Sequence, residues 1–419
     1  MSLKAQVSAL KSVFVAMAAI QLATSASGTF VPLVFADIGA SQEAASFAAS
    51  AYATGFLLGC FVVSRSIADF GHIRAFAASA AVVTIAAILF SVGSNAAVLI
   101  VLRFLVGLAT ASLFAIGDAW INEAADGQSR GRVLSIYAVV IGIVAVASQG
   151  IIFFAEGDLG PVFLVIALLY CASIVVITTT SMSPPDSGKK INLRVRALFQ
   201  EAPTAAIGAL ATGVVTTTIL NVVPYGAAQL GVQPVDIAIS IAAIYLGRVV
   251  FQFPLGGLSD RIDRRRVVFG VSLVCAVVLL AMGILSDPDY APQRFDYASV
   301  AFWFFIVLMM LLGGSLLTIY SLIVAHALDR TVPVYISSTS VTMLFVWTVG
   351  SIAGPLVASA VTSLLGDSAL NWLNFACMGG YAAFVYWRLG RSSPTAKAEQ
   401  AKRESTLTTS AELAPQSKR

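Results

Sequence analysis

Gly256-Gly-Leu-Ser-Asp260-Arg261-Ile-Asp263-Arg264-Arg265-Arg266 packs six charges into its last seven residues, between an apolar run that ends near Gln252-Phe-Pro254 and a second that continues to about residue 285. A knot of charge between two apolar stretches of about 20 residues each is the signature of a water-exposed turn joining two membrane spans. The same alternation recurs outward in both directions. Over 419 residues the chain is 58% hydrophobic and 11% charged, with a mean hydropathy of +0.89, whereas soluble domains carry about 25% charged residues. Water cannot be its only solvent.

Cutting the chain at charged or turn-rich breaks gives twelve spans, near 12–35, 44–63, 75–95, 97–122, 133–154, 160–180, 204–227, 235–257, 267–285, 299–326, 336–363 and 368–388. At about 35 residues per crossing and connection, no length remains for a nucleotide-hydrolysing domain, a nucleic-acid module or a large extramembrane head. The first apolar run is longer than a signal-peptide core and is read as the first span. Orientation follows from Lys and Arg. The even-numbered loops hold thirteen, among them Arg65, Arg74, Arg130, Lys189, Lys190, Arg261 and Arg264–Arg266, whereas the odd loops hold only Arg294. The positive-inside rule puts the even loops and both termini in the cytoplasm; acids such as Asp37, Glu43, Glu156, Asp158, Asp287 and Asp289 mark the other side. The net charge of +4 is therefore a topology signal.

The Pro-, Gly- and Lys-bearing stretch 181–203 divides the spans six and six. The expected organisation is a six-helix bundle over 1–180, a cytoplasmic linker over 181–203, a second bundle over 204–389 and a disordered cytoplasmic tail over 390–419. The halves repeat. Pro32 and Pro224, Gly39 and Gly231, Gly55 and Gly247, and Arg74 and Arg266 are each 192 residues apart; beyond a longer ninth loop the offset becomes 206, pairing Gly107 with Gly313 and Glu123 with Asp329. Two parallel halves imply a polar site at mid-membrane between them, opened alternately to each side.

Enzyme chemistry has little material here. Cys60, Cys171, Cys275 and Cys377 are scattered through apolar runs, and His72 and His326 stand apart, so neither disulfides, metal ligation nor cofactor binding is expected. Asp186-Ser-Gly-Lys-Lys190 lacks the spacing of a phosphate-binding loop.

The eighth-loop stretch closely resembles the G-x-L-x-D-R-x-G-R-R signature of the major facilitator superfamily. A degenerate copy follows the second span, Ser64-Arg65-Ser66-Ile67-Ala68-Asp69-Phe70-Gly71-His72-Ile73-Arg74, with Ala68 where the acid belongs. Arg103-Phe-Leu-Val-Gly107, continuing to Glu123 and Arg130-Gly-Arg132, is similar to the family's fourth-span pattern. The resemblance implies an all-α fold of two pseudo-symmetric six-helix bundles. It also implies that Asp69, Gly71, Arg74, Glu123, Gly256, Asp260, Arg261, Arg264 and Asp329 act as conformational latches: Asp260 at a helix N-terminus, Arg261 or Arg264 paired with Asp329, and a weaker first-half latch around Glu123 with Arg74 or His72. The alternative is that these charges only enforce orientation. In the fifth span no Gly-Pro pair follows Gly142, so the family's antiporter signature is missing.

Ionisable groups inside spans each cost about 2.5–3.5 kcal/mol at a helix centre. Three qualify: Arg103, Asp118 and Arg248. Asp118 is the candidate for proton coupling, because a carboxyl within a span can load and release a proton as a cavity changes sides; the alternative is a structural acid satisfied by Asn122, Arg74 or water. Arg248 either neutralises an anionic group of the solute or serves as counter-ion for Asp118 or a helix C-terminus. Arg103 takes a relay or packing role by resemblance, or snorkels to the outer interface. The resemblance also places spans 1, 4, 7 and 10 around a cavity, which nominates Gln21, Thr24, Ser25, Thr217, Asn221, Tyr225 and Tyr320 for substrate binding, with Trp347 reaching in from span 11. The expected protein is a secondary transporter of the bacterial inner membrane, monomeric and contacting lipids but no nucleic acid. It exports a small amphipathic solute by proton coupling. The alternatives are proton-coupled uptake of an anionic metabolite and a non-transporting sensor or scaffold.

Overall fold

The computed structural model describes residues 10–124, 130–155, 157–180, 193–285, 296–366 and 368–391, with side chains at all of these except 122–124, 130–132 and 285. Most of the expected linker, the tail beyond 391, Arg294 and the Glu123 side chain lie outside the described residues.

Twelve helical rods follow one another: α1 (Lys11–Asp37), α2 (Gln42–Phe70), α3 (His72–Val92), α4 (Ala96–Ala124), α5 (Arg130–Ala147, extended by a 3-10 turn Ser148–Phe154), α6 (Gly160–Thr178), α7 (Pro203–Thr217, a π-turn Thr218–Val222, then Val223–Gln229), α8 (Pro234–Arg261), α9 (Arg264–Leu285), α10 (Val300–Leu328), α11 (Ile336–Leu365) and α12 (Ala369–Leu389). A short surface helix, Val195–Glu201, leads into α7. Eleven rods are long and apolar enough to cross a membrane; α12 matches α3 at 21 residues but is diluted by Asn371, Asn374 and Arg388. The fold is an all-α, multi-pass membrane architecture.

Each half is built by close helix contacts at glycine, and the repeat in the sequence locates them. A Cβ on Gly55 in α2 would overlap the Phe104 carbonyl of α4, and one on Gly107 the Tyr52 carbonyl. Shifted by the two offsets, Gly247 of α8 meets the Met310 carbonyl of α10, and Gly313 meets that of Ile244. With little hydrophobic drive between helices in lipid, such backbone-to-backbone approach supplies the van der Waals packing that joins them. The same symmetry appears in the turns: Gly39 and Gly231 close α1 and α7 with φ of +65° and +81°, where a side chain would be strained. On α11, Gly350 and Gly354 lie against the Leu210 and Val214 carbonyls of α7, the close packing expected of the stretch before Pro355.

The apolar core of the second half is confined to residues between Leu198 and Val385. That of the first half continues across the seam to take in Tyr225, Ile237 and Ala238, with Ala227, Val232 and Val235 packed on it. All six belong to the end of the molecule that carries the α1–α2 and α7–α8 turns. Cross-half hydrogen bonds gather there too. Tyr225 Oη donates to the Ala40 carbonyl at 2.7 Å and Gln42 Nε2 to Thr362 Oγ1 at 2.8 Å, and deeper along α2 and α11 Ser50 Oγ donates to the Ile352 carbonyl at 2.9 Å. This end forms a seal between the halves.

Candidate functional site

Just beneath the seal, the glycine contacts that build the first half also build a polar layer. Gly107 lets α4 press on the Tyr52 backbone, and one helical turn back along α4 stands Arg103, whose guanidinium lies 4.5 Å from the centre of the Tyr52 ring. Arg103 is 3% exposed and its Nε has no hydrogen-bond partner. It does not snorkel to the interface, which removes that alternative. Tyr170 of α6 is near enough to Arg103 to interact electrostatically, and its hydroxyl shares a 3.1 Å hydrogen bond with Thr24 of α1. One turn along α1, Gln21 Nε2 donates to Ser25 Oγ at 2.7 Å.

The second half reaches into the same layer through α8. Tyr245 neighbours Ser25, Tyr52 and Arg248, and Arg248 Nε donates to Gln252 Oε1 at 3.3 Å. Counted from the sealed end at 1.5 Å per residue, Arg103, Tyr52, Tyr170, Tyr245, Ser25 and Arg248 lie about 10 to 21 Å along their helices. They therefore form a band about 11 Å thick between the sealed end and the middle of the helices. No Asp or Glu interacts with Arg103 or Arg248 among the described residues. Arg248 is thus not a counter-ion for Asp118.

The other expected site residues divide. Thr217 donates to the Gly213 carbonyl and Asn221 to the Thr217 carbonyl, so both are engaged within α7, at the π-turn Thr218–Val222. That turn exists because Pro224 has no N–H for the Leu220 carbonyl and its ring would crowd it; it packs on α1, α2 and α11. Tyr225 belongs to the seal rather than to the layer below it. Tyr320 and Trp347 form a tilted ring pair, centroids 5.8 Å apart, nearer the end opposite the seal. Asp118, exposed, accepts a 3.1 Å hydrogen bond from Tyr137 Oη. It is 15 residues from Arg103 on the same helix, about 22 Å away, and the fold does not bring the two together.

At the end opposite the seal, Arg264 ties three elements: its Nη2 meets Asp260 Oδ1 and its Nε meets Asp329 Oδ2, both at 3.0 Å. Arg264, not Arg261, is the partner of Asp329. Asp260 is 70% exposed and bonded to Arg264 instead of seated on a helix N-terminus. Alongside, Asp263 accepts from the Arg265 backbone N–H at 3.0 Å and from its guanidinium at 2.7 Å. Burial alone would raise the Asp263 pKa, but the Arg265 hydrogen bonds and charge outweigh it and hold the carboxyl below the usual range. The Glu123, Arg130 and Arg132 side chains of the first-half counterpart lie outside the described residues. His72 is buried against the Trp120 ring at 6.2 Å, while Asp69 and Arg74 are exposed.

Tyr52, Tyr170, Tyr245, Gln252 and Tyr137 were absent from the sequence-derived site. Tyr245 and Gln252 could have been found, since they sit three before and four after Arg248 on one helical face. Tyr52 and Tyr137 reach their charges from other helices, which no spacing reveals.

Twelve rods, a glycine-built duplication and a polar layer at the seam match what comparison with known proteins returns. The sequence profile of the Major Facilitator Superfamily matches residues 13–204 and 205–417. The chain belongs to the major facilitator superfamily. The profile's break at 204/205 falls where the two halves join. Among curated relatives of this facilitator, an uncharacterized MFS-type transporter of Enterobacter sp. strain 638 is 24% identical over 374 residues, covering 87% of this chain and 90% of the relative. The uncharacterized MFS-type transporter YcaD of Escherichia coli O139:H28 is 22% identical, covering 83% and 87%. Among solved structures, the nucleoside transporter NupG superposes with a TM-score of 0.73 at 14% identity, over 94% of this chain and 100% of that one. At that identity the likeness concerns the fold alone. The facilitator is a multi-pass membrane transporter for a small molecule, not an enzyme.

Proposed function

We propose that this facilitator is a proton-coupled secondary carrier of a small amphipathic organic solute, working by alternating access in a bacterial inner membrane. The observation that carries the reading is the asymmetry of the seam. The halves are sealed at the end of the α1–α2 and α7–α8 turns, a polar, aromatic-lined layer lies beneath, and the latch pairs described on the far side, Arg264 with Asp260 and Asp329, stay within the second half. The arginine-rich even loops assign that far side and both termini to the cytoplasm, so the observed state faces inward. Tyr52, Tyr170, Tyr245, Tyr320 and Trp347 present apolar faces with hydroxyl or N–H handles, a lining suited to an amphipathic solute. Asp118, on the open side and held by Tyr137, carries the coupling proton.

Purified protein in liposomes loaded with a pH-sensitive dye, screened against organic solutes, tests this. The expected result is solute-dependent proton movement, with solute exit accompanied by proton entry; solute and proton entering together would assign uptake. Asp118→Asn should keep solute binding and lose proton dependence. Full proton coupling in that variant would remove Asp118 from the mechanism, and binding without any flux would make the protein a sensor rather than a carrier.

A further inference from the structure

The second half carries a groove of about 400 Å³ between α8 and α9. One wall runs from Phe251 to Ile262, along α8 and just past its end, and the other from Arg266 to Val274 on α9; Leu311, Gly314 and Ser315 of α10 form the floor. The lining is apolar except for Ser315 on the floor and Arg266 at one end. Leu258, Ile262 and Val274 at the rim are between 44% and 47% exposed, and α9 packs on α8, α10 and α12 of its own half. The groove therefore opens to the surrounding lipid. From Arg266 to Val274 its wall rises about 12 Å, and from Ile262 to Phe251 about 16 Å. Half of a bilayer's hydrocarbon core is about 15 Å, so the groove is as long as one leaflet is deep. Its arginine end lies on the side that the positive-inside rule assigns to the cytoplasm.

Charge at that end is left over from the latch. Asp260 and Asp329 both bond Arg264, and Asp263 is held by Arg265, whereas the exposed Arg261 and Arg266 form no ion pair among the described residues. Lipid tails are as apolar as the lining, so an acyl chain gains no hydrophobic free energy by entering the groove. It gains the van der Waals contact that a void lacks, and preference for one lipid over another has to come from the head. Basic pockets between spans on the cytoplasmic side hold anionic head groups. We propose that the groove holds one acyl chain of an anionic glycerophospholipid of the cytoplasmic leaflet, with the phosphate on Arg266 and Arg261. The chain touches α8, α9 and α10, the three elements that Arg264 ties just beyond the rim, and so braces the second half as a unit. The site stands apart from the seam and does not depend on the carrier reading.

Photolabelling of the full-length protein in phosphatidylcholine nanodiscs tests this, with trace phosphatidylglycerol or phosphatidylcholine that carries a diazirine at mid-chain. The phosphatidylglycerol probe should label the groove residues of α8–α10 above other lipid-facing surface. It should exceed the phosphatidylcholine probe there by about fivefold, the worth of one basic group beside an anionic head. Arg266→Gln should remove most of that preference. Gly270→Leu should block the labelling. A Cβ on Gly270 meets nothing within 4 Å, so the new side chain enters the groove without disturbing the helix, and Tm in lipid-free detergent should hold or rise. Val274→Trp is a second blocking variant at the deep end, and Leu168→Phe, on the exposed surface of α6, should label as the wild type does. Equal labelling by the two head groups, label spread evenly over the lipid-facing helices, or undiminished labelling in both blocking variants would overturn the proposal. Loss of the label to a transported solute would overturn it too, by giving the groove to the solute.

Discussion

At the residue scale the least replaceable side chains are those the fold does not have. Gly55, Gly107, Gly247 and Gly313 each lie against a backbone carbonyl of the facing helix, and a carbonyl held in its own helix cannot step aside. Gly107→Ala or Gly313→Ala should cost about 1–3 kcal/mol by overpacking, read as a fall in Tm. Because Gly107 also sets the distance between Tyr52 and Arg103, Gly107→Ala should weaken solute binding more than Gly313→Ala does, although both lose stability alike. Equal binding in the two variants would separate the glycine contact from the site. Asp263 gives a pH-dependent counterpart. Its carboxyl titrates below its unfolded value of about 3.9, so the stabilisation from Arg265 is complete above that pH and lost as pH falls through the lowered value. The Tm deficit of Asp263→Asn should therefore be constant between pH 5 and 8 and shrink below about pH 4.

At the element scale, the helix ends were legible to within about four residues except at the second, which runs seven residues past the expected 63 to Phe70, because a run of about 20 apolar residues bounded by charge has one reading in a bilayer. The repeat was legible as well, and it located contacts: the offsets of 192 and 206 carry Tyr52–Gly107 onto Ile244–Gly313, and Gly55–Phe104 onto Gly247–Met310. The site was legible only in part. Arg103, Asp118 and Arg248 declare themselves as charges within spans, but the tyrosines that hold them belong to other helices. The π-turn of α7 left only Pro224 as its trace, and Tyr225 reads as cavity lining until Ala40 is found opposite it. The latch behaves as an element too. Arg264 bridges α8 to the end of α10 through exposed acids, and such pairs contribute about 0–1 kcal/mol each. Arg264→Gln should thus barely lower Tm, yet alter the balance between facing states. A large stability loss with unchanged transport would make the knot a structural clamp and not a latch.

At the scale of the whole molecule, the central claim is that two similar bundles rock about the polar layer, so that the seal made by Tyr225, Gln42 and Ser50 is one of two alternatives. Such a seal is built to part: four hydrogen bonds and an apolar patch hold it, and its opening must be offset by closure on the arginine-rich side. Spin labels placed at Ala40 and Val232 would report the sealed end, and labels at the exposed Ser64 and Val334 the opposite end, on a background with the four cysteines replaced. Pulsed electron-spin distance measurements between pH 8 and pH 5, with and without the transported solute, test the claim most directly. The account predicts two populations for each pair, the outer distance lengthening as the inner one shortens. A single outer distance, unmoved by pH or by the solute while the protein still transports, would contradict it.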